Sequence, residues 1–294
     1  MLELPKNIPF QKIENELTLS HKINLHVLRL DTIDLCAGGN KLFKLKYNLE
    51  EAEKQGFKKI LTFGGAWSNH LAAAAVVNNN PLPIIAIVRG EEPKQLSATL
   101  QFCKQKEVEL HFVSRESYRN KTEPSFIEEL KNKFGDFYLL PEGGSNALAV
   151  KGCKEIINYI PIDFDCICTP VGSGGTIAGI ASGLKKHQQT IGFSTLKGAE
   201  YLTEEVNKLI NNAENSNFKI MNDYHFGGYA KTNTELLSFK TDFEKQLSIP
   251  LDYVYTSKMF YGIFDMIKNN HFKEGATVVA IHTGGLQGNA GFEK

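Results

Sequence analysis

The chain has 294 residues, 42% of them hydrophobic and 22% charged, which is enough for a sizeable core in two modest lobes or one large one. Lys plus Arg and Asp plus Glu are both 33, so no net field favours a nucleic acid partner. No apolar run approaches the roughly 18 residues of a membrane helix, and the N-terminus lacks the apolar region of a signal peptide, so we expect a soluble, cytoplasmic protein with no membrane partner.

The first half of the chain alternates strand-like and helix-like segments. After an opening stretch without a clear pattern, residues 23–31 alternate as a strand and residues 41–57 show helical spacing. Further strands are predicted at 58–65, 83–90, 108–114 and 136–144, and helices at 68–80, 95–107 and 124–135. This alternation indicates βα units and a largely parallel sheet covered on both faces, an α/β fold.

The second half continues the alternation with one irregular segment at 212–232. Helices are predicted at 146–160, 176–188, 201–210, 234–247 and 257–270, and strands at 164–172, 190–196 and 276–285. No fixed-period repeat and no low-complexity linker divides the chain. We predict a smaller inserted lobe at 44–146 and a larger lobe formed by 1–43 and 147–294.

Glycine-rich junctions follow several of the predicted strands, where ligands bind in parallel sheets. In "PVGSGGTIAG" at 170–179, Gly172, Gly174 and Gly175 let the backbone approach an anion at the start of a helix, which suits a phosphate. The segment matches neither a P-loop nor a dinucleotide fingerprint, and a tight structural turn remains an equal reading of it alone.

Lys41 follows another such junction, "AGGNK", and is predicted on the first turn of a helix. A lysine can form a Schiff base with an aldehyde, and the cofactor that carries both an aldehyde and one phosphate is pyridoxal 5'-phosphate. The alternative is a surface lysine, although a helix dipole does not favour a cation in this position.

Seven motifs occur in order along the chain, and together they carry a family resemblance. They are "GGNKLFKL", "SNH", "EGGSNALAVKG", "GSGGTIAG", "DYHFGGY", "LDYVYTSK" and "HTGG". In sequence and spacing they closely resemble the 1-aminocyclopropane-1-carboxylate deaminases and D-cysteine desulfhydrases. The resemblance covers the chain from about residue 25 and implies a two-lobed, parallel-sheet pyridoxal-phosphate enzyme of fold type II, like the tryptophan synthase β-subunit, and a homodimer.

The resemblance also implies roles for individual residues. Lys41 would carry the cofactor and act as the base at the substrate Cα, and Asn69 would donate to the cofactor's phenolic oxygen. Ser68 would bind the substrate carboxylate and take part in catalysis. The two active-site tyrosines would also take part in catalysis, stacking on or hydrogen-bonding near the reacting carbons. The remaining assignments of the predicted site are, for the cofactor phosphate, Lys44, Gly172, Ser173, Gly174, Gly175 and Thr176; for the substrate, Asn69 and His70; and, as the tyrosines, Tyr229 and Tyr255. No metal site is expected.

Two positions separate the branches of that family. The deaminases have a glutamate after the second tyrosine, facing the pyridine nitrogen, where this chain has Thr256. The residue before the last glycine pair, which would lie near the substrate, tends to be leucine in deaminases and threonine in desulfhydrases, and here it is Thr283. A neutral hydroxyl implies a weaker electron sink, which favours β-elimination from D-cysteine over opening of a cyclopropane.

Other functions remain open from the residues alone. A relative that binds the cofactor or an amino acid without turnover, a 1-aminocyclopropane-1-carboxylate deaminase and a racemase all share these features. A nucleotide-binding oxidoreductase lacks its fingerprint, and a serine or threonine dehydratase usually has serine near the lysine.

The cysteines indicate packing rather than chemistry. Cys166 and Cys168 lie in an apolar predicted strand, where residues two apart share one face, and they are expected to be buried, reduced thiols. A packing role is also expected for Cys36, with a thiol that lines the site as the alternative.

Overall fold

The computed structural model describes residues 2–34, 37–79, 81–211 and 217–292. Ten strands lie in these ranges: β1 (Phe10–Ile13), β2 (Asn24–Arg29), β3 (Ile60–Gly64), β4 (Ile84–Arg89), β5 (Glu109–Val113), β6 (Tyr138–Leu140), β7 (Cys166–Val171), β8 (Gln189–Ser194), β9 (Phe218–Met221) and β10 (Thr277–His282). They form a six-stranded sheet, in the order β1-β2-β10-β7-β8-β9, and a four-stranded sheet, in the order β5-β4-β3-β6.

Both sheets are parallel except at one edge, where β1 pairs antiparallel with β2. Every residue of β3 and of β7 is buried, so these central strands are covered on both faces, as parallel sheets require. The predicted α/β class with parallel sheets is confirmed.

Eleven α-helices lie in the described ranges and cover the sheets. They are α1 (Glu16–Ser20), α2 (Asn40–Lys54), α3 (Asn69–Val76), α4 (Ala98–Gln105), α5 (Arg115–Arg119), α6 (Pro124–Phe134), α7 (Ala147–Lys154), α8 (Gly175–Ala181), α9 (Leu202–Leu209), α10 (Thr234–Leu247) and α11 (Thr256–Lys268). Short 3-10 helices occur at Leu30–Thr32, Glu142–Gly144, Glu155–Tyr159, Asp223–His225 and Leu286–Gly291.

Every predicted strand and helix is present, with ends that differ by up to seven residues, since the helix predicted at 176–188 ends at Ala181. The sequence analysis missed four short elements, β1, α1, α5 and β9, each of four or five residues. Segments of that length cover barely one turn of a helix or two side-chain alternations of a strand, so periodicity cannot reveal them. Within the irregular segment, residues 212–216 lie outside the described residues.

The predicted lobe boundaries remain a proposal. The four strands of the smaller sheet all lie between 60 and 140, and those of the larger sheet lie outside that range. The boundary after residue 43 falls inside α2, which is one continuous helix, whereas the boundary after 146 coincides with the start of α7. We propose that α2 belongs to both lobes.

Close packing of α2, α7 and α8 fixes the helices that flank the cleft. Gly152 on α7 faces α2 so closely that a Cβ there would lie 1.9 Å from the carbonyl oxygen of Phe43. Gly179 on α8 is similarly close to Cys153, whose Cβ would be 2.4 Å from an added Cβ. Only residues without a Cβ permit such an approach of two backbones.

The thiols behave as predicted where they are described. Cys166 and Cys168 are buried and free, as are Cys103 and Cys153. Cys36 lies outside the described residues. In the part of the chain that the structure describes, no helix has the length and apolarity needed to cross a membrane.

Candidate active site

A cavity of about 820 Å³ opens at the carboxyl ends of the strands of both sheets. The smaller sheet contributes the segments that follow β3, β4, β5 and β6, and the larger sheet contributes those that follow β7, β8 and β10. The crevice outside the carboxyl ends of parallel strands is where such folds bind ligands. Lys41 and the glycine loop at 172–174 both line this cavity.

The position of Lys41 is set by the start of α2. Gly39 has φ = 120° and lies against the end of β10, where a Cβ would come within 2.0 Å of the Thr283 carbonyl oxygen. The Asn40 side chain donates to the hydroxyl of Thr176 at 2.6 Å, which ties α2 to the first turn of α8. Lys41 follows at once and is therefore held beside the glycine loop.

The amine of Lys41 is held in a form suited to nucleophilic chemistry. Its surroundings lower the pKa below the ordinary 10.5, chiefly because burial disfavours the charged form. A lysine with a lowered pKa spends more time as the neutral amine, which is the form that attacks an aldehyde.

The glycine loop between β7 and α8 forms a cradle. Gly174 adopts a left-handed conformation, with φ = 77°, just before α8 begins. A Cβ on Gly172 would lie 3.2 Å from the Tyr255 ring, and one on Gly175 would lie 3.0 Å from the Lys44 Nζ. Side chains would therefore fill the space that the glycines leave open.

Lys44 crosses beneath this cradle as a buried cation that is 1% exposed. Its Nζ donates to the Ser145 hydroxyl at 2.7 Å, the Gly143 carbonyl at 3.1 Å and the Ser173 hydroxyl at 3.3 Å. Burial, followed by repulsion from Lys41, lowers its pKa well below 10.5. None of these three partners carries a negative charge, so an anion in the cradle would relieve the cost of burying this ammonium group.

Ser68 begins α3 as its N-cap, and its hydroxyl accepts from the Leu71 N–H at 3.2 Å. The first backbone N–H groups of a helix have no carbonyl partner within the helix, and those of Asn69 and His70 are among them. Ser68, Asn69 and His70 all line the cavity. This turn therefore suits a carboxylate, since helix N-termini favour anions.

His70 is held as a neutral ring with one free acceptor. Its Nε2 lies 2.7 Å from the Thr62 hydroxyl, which itself donates to the Leu140 carbonyl, so Nε2 carries the proton. Burial, then Lys41 and Lys44, lower its pKa well below 6.5. Among the described residues nothing partners the buried Nδ1.

Asn69 connects the helix to the last segment of the chain. The side chain of Gln287 donates to its Oδ1 at 2.7 Å, and a Cβ on Gly285 would collide with its Nδ2 at 2.4 Å. The sequence analysis quoted this glycine-rich segment without assigning it a role.

The two predicted tyrosines lie together on the cavity wall. The ring centroids of Tyr229 and Tyr255 are 6.1 Å apart in an edge-to-face arrangement. Burial raises the pKa of both hydroxyls, and for Tyr255 the neighbouring Tyr229 raises it further, well above 10. Both phenols therefore remain protonated near neutral pH and can donate hydrogen bonds.

Two residues of the predicted site do not line the cavity, and these are Gly175 and Thr256. Gly175 lies behind the cradle, beside Lys44. Thr256 is fully buried, and its hydroxyl donates to the Asp252 carboxylate at 2.7 Å and accepts from the Asp252 N–H at 2.9 Å. Its contact with the pyridine nitrogen remains a prediction. In this structure the hydroxyl proton of Thr256 is engaged by Asp252. Thr283, in contrast, does line the cavity.

The sequence analysis missed several residues of the cavity wall. Arg89 ends β4, Arg115 follows β5 and Glu142 follows β6, and all three line the cavity. Ser145 contacts Lys44 directly. Their positions at the carboxyl ends of predicted strands were the available indication, since polar residues there face the ligand crevice. No cluster of metal-ligating side chains occurs among the residues with described positions.

A family model described as pyridoxal-phosphate dependent enzyme matches residues 12–284. The chain belongs to this family. This pyridoxal-phosphate-dependent enzyme is 33% identical to a candidate 1-aminocyclopropane-1-carboxylate deaminase of Thermotoga maritima, over 96% of the chain and 95% of that protein. It is also 31% identical to a bifunctional mitochondrial D-cysteine desulfhydrase/1-aminocyclopropane-1-carboxylate deaminase of Arabidopsis thaliana, over 92% of the chain and 74% of that protein.

A solved structure of a 1-aminocyclopropane-1-carboxylate deaminase homologue superimposes with a TM-score of 0.85 at 27% identity, and the match covers 99% of this chain and 93% of that one. The predicted resemblance and the type II fold are thereby confirmed, and the protein is an enzyme of the pyridoxal-phosphate lyase and deaminase group.

The cavity fits the cofactor of this family at both ends of the molecule. The glycine cradle, with the buried Lys44 beneath it, suits the phosphate, and a cavity-lining amine of lowered pKa, Lys41, suits the aldehyde. The two groups are held together by the contact between Asn40 and Thr176. Lys41 and residues 172–174 and 176 thus line one cavity.

Proposed function

We propose that this enzyme is a D-cysteine desulfhydrase that, with one molecule of water, converts D-cysteine to pyruvate, ammonia and hydrogen sulfide. The observation that carries this choice is the lack of an available acid for the ring nitrogen. Thr256 stands where the family's deaminases have glutamate. Among described residues that line the cavity, Glu142 is the only acid, and it accepts from the Tyr118 hydroxyl and pairs with Lys121.

Bound pyridoxal phosphate supplies an aldehyde that condenses with an amine and a ring that withdraws the electron pair left at Cα. A ring without a carboxylate partner withdraws electrons less strongly. Elimination of sulfide from Cβ needs less of this assistance than opening a cyclopropane, since sulfide is a good leaving group. Thr283, on the cavity wall, is also the residue typical of desulfhydrases.

Lys41 is assigned two roles in this proposal. Its amine would hold the cofactor aldehyde, and as a free amine it would take the proton from the substrate Cα. The lowered pKa of Lys41 supports the second role, because only the neutral amine can accept a proton.

The first turn of α3 is assigned to the substrate carboxylate. Ser68, Asn69 and His70 line the cavity at this helix terminus, where the first backbone N–H groups have no partner within the helix. Hydrogen bonds from this turn would hold Cα near Lys41. They would also leave Cβ and its sulfur free to point toward another wall.

The two tyrosines are assigned to the leaving group. Because their pKa values are raised, the hydroxyls of Tyr229 and Tyr255 keep their protons. Either hydroxyl can donate a hydrogen bond to the departing sulfur, which leaves as hydrosulfide, and the two rings pack against each other. The homodimer and the cytoplasmic location remain predictions, and the proposed reaction does not depend on them.

A parallel assay tests the proposed substrate. The protein, loaded with pyridoxal phosphate, is given D-cysteine, L-cysteine, β-chloro-D-alanine and 1-aminocyclopropane-1-carboxylate, and the 2-oxo acid and sulfide are measured. We expect turnover of D-cysteine and β-chloro-D-alanine, and little of the other two compounds. Turnover of the cyclopropane alone would refute the desulfhydrase assignment.

1-Aminocyclopropane-1-carboxylate deaminase is the second candidate, because the Thermotoga relative bears that name and the Arabidopsis relative bears both. It predicts 2-oxobutanoate and ammonia from the cyclopropane in the same assay. A loaded enzyme that turned over none of the four compounds would instead support a binding relative without this chemistry.

A further inference from the structure

The segment that carries Tyr229 has little regular structure of its own. It follows the 3-10 helix Asp223–His225 and passes through three consecutive left-handed residues, Phe226, Gly227 and Gly228, with φ values of 50°, 91° and 118°. Among the described residues, its internal hydrogen bonds are two backbone turn contacts, from the Gly228 N–H to His225 and from the Lys231 N–H to Gly228, and one from the Gly227 N–H to the His225 Nδ1. Such a segment needs contacts from outside to hold one conformation.

Lys258 supplies those contacts from α11. Its side chain is fully buried, and its Nζ donates to the carbonyl oxygens of His225 at 2.8 Å and of Gly228 at 2.7 Å. These are the same two oxygens that close the turns of the segment. The lysine therefore fixes both ends of the left-handed stretch directly before Tyr229.

Burying an ammonium group is costly, and the surroundings of Lys258 show that cost. Burial lowers its pKa to about 8, against a smaller opposite effect of the Asp252 carboxylate. An apolar side chain of the same length would avoid the cost. The two carbonyl oxygens would then lose their partner, which indicates that the charge is kept for the contacts it makes.

The same helix also positions the other tyrosine. Tyr255 directly precedes α11, and its backbone N–H donates to the Asp252 carboxylate at 2.8 Å. Lys258 follows one turn later. Tyr255 is thus attached to the helix by the chain, and Tyr229 is attached to it through Lys258, so that the two rings meet at 6.1 Å.

Other contacts between the segment and α11 lie farther from Tyr229. The Tyr224 hydroxyl donates to Asp265 at 2.8 Å, and the Phe226 ring meets the edge of Tyr261 at 4.9 Å. They hold the beginning of the segment. Among the described side chains of α11, Lys258 alone donates to the carbonyl of Gly228, the residue next to Tyr229.

We propose that Lys258 is a positioning residue that fixes the ring of Tyr229 against Tyr255 and thereby sets the geometry at the leaving-group end of the cavity. The inference rests on the proposed role of Tyr229 in turnover. Lys258 does not line the cavity, so cofactor affinity is expected to be independent of this residue.

The test compares Lys258→Met, which removes the donors at similar length, with Lys268→Met, an exposed lysine on the same helix. Lys258→Gln, which retains a hydrogen-bond donor, replaces Lys258→Met in these measurements if the methionine variant does not fold. Hydrogen exchange, measured by mass spectrometry on loaded enzyme, should speed up in peptides covering 225–231 in Lys258→Met while the β7–α8 peptides stay protected. Lys268→Met should match wild type.

Kinetics supply the second arm, on whichever substrate the enzyme turns over. We expect Lys258→Met to lower kcat/KM about tenfold, the size expected for lost hydrogen bonds of a charged group, with cofactor affinity within about twofold of wild type. In a Tyr229→Phe background the further loss should be under about twofold, because both changes act at one site.

Unchanged hydrogen exchange at 225–231 in Lys258→Met would overturn the proposal. So would losses of kcat/KM from Lys258→Met and Tyr229→Phe that multiply independently in the double variant. The exchange arm needs no substrate. If D-cysteine were not turned over, the proposed function would fail while faster exchange still supported the role of Lys258 in holding the segment.

Discussion

At the residue scale, Lys44 is the side chain whose surroundings most directly favour an anion. It is a buried lysine whose three hydrogen-bond acceptors are all neutral, and it lies beside the glycine cradle. We predict that Lys44→Met weakens the binding of pyridoxal phosphate by about 10- to 100-fold, the size of one charge-assisted hydrogen bond. Titration of the cofactor-free protein measures this.

The phosphate-free compound pyridoxal provides the control for Lys44. Its affinity should change by less than about twofold in Lys44→Met, because it lacks the group that this lysine is proposed to hold. Lys54→Met, an exposed change in the last turn of the same helix, should alter neither affinity. Equal losses for both ligands would show that the variant disturbs the cavity as a whole.

His70 gives a prediction about acid stability. Its pKa in the fold is well below 6.5, whereas the unfolded chain titrates near that ordinary value. Below about pH 6.5 the unfolded chain takes up a proton that the folded protein does not, so the free energy of unfolding falls as the pH decreases. We predict that wild type loses on the order of 1–2 kcal/mol more than His70→Gln between about pH 6.5 and pH 5.

Urea denaturation of both proteins across that range measures the difference, and groups common to both cancel. A difference that did not vary with pH would mean that the imidazole titrates normally in the fold.

The site residues that the sequence predicted are those that lie in recognisable motifs. Lys41 and the glycine loop were predicted from glycine-rich junctions, and the role of Ser68 was implied by the family resemblance. Arg89, Arg115 and Glu142 were not predictable, because a single charged residue at the end of a strand looks like any solvated residue. The engagement of Thr256 by Asp252 could not be predicted either, since it depends on how the turn before α11 closes.

At the element scale, the site depends on the packing of α2 against α7. Gly152 allows α7 to approach the Phe43 carbonyl so closely that an added Cβ would lie 1.9 Å from its oxygen. We predict that Gly152→Ala lowers the free energy of unfolding by about 1–3 kcal/mol, as overpacking does, although alanine has the higher helix propensity.

Chemical denaturation measures this change, with Lys154→Ala, an exposed position on the same helix, as the control. Because α2 also carries Lys41 and Lys44, we expect weaker cofactor binding in Gly152→Ala as well. A variant as stable as the control would mean that the two helices separate at little cost.

The sequence predicts long elements well because their hydrophobic periodicity is repeated several times. The helix α2 shows this with buried Leu42, Leu45 and Leu49. The strand β1 spans only Phe10–Ile13 and joins an edge by antiparallel pairing. Its pairing with β2 depends on the sheet topology, which local periodicity does not reveal.

At the scale of the whole molecule, the cleft exists because two parallel sheets direct their carboxyl ends into one cavity. The alternation of strands and helices predicted a largely parallel sheet. The strand order within them, and hence which junctions meet, was not contained in the pattern. The bond from Gln287 to Asn69 joins the end of the chain to the smaller sheet's first helix, across 218 residues, and no local rule predicts it.

The central claim is that Lys41, rather than its buried neighbour Lys44, carries the cofactor. Both are lysines on the first turns of α2, and both have lowered pKa values. Both also line the cavity, but Lys44 is held by three hydrogen-bond acceptors beneath the glycine cradle.

Borohydride reduction of the loaded enzyme, followed by peptide mass spectrometry, locates the lysine bonded to the cofactor. We predict the pyridoxyl group on Lys41 in wild type and in Lys44→Met, and no labelled peptide from a folded Lys41→Ala variant. A label on Lys44, or an unlabelled position 41 in wild type saturated with cofactor, would contradict the account.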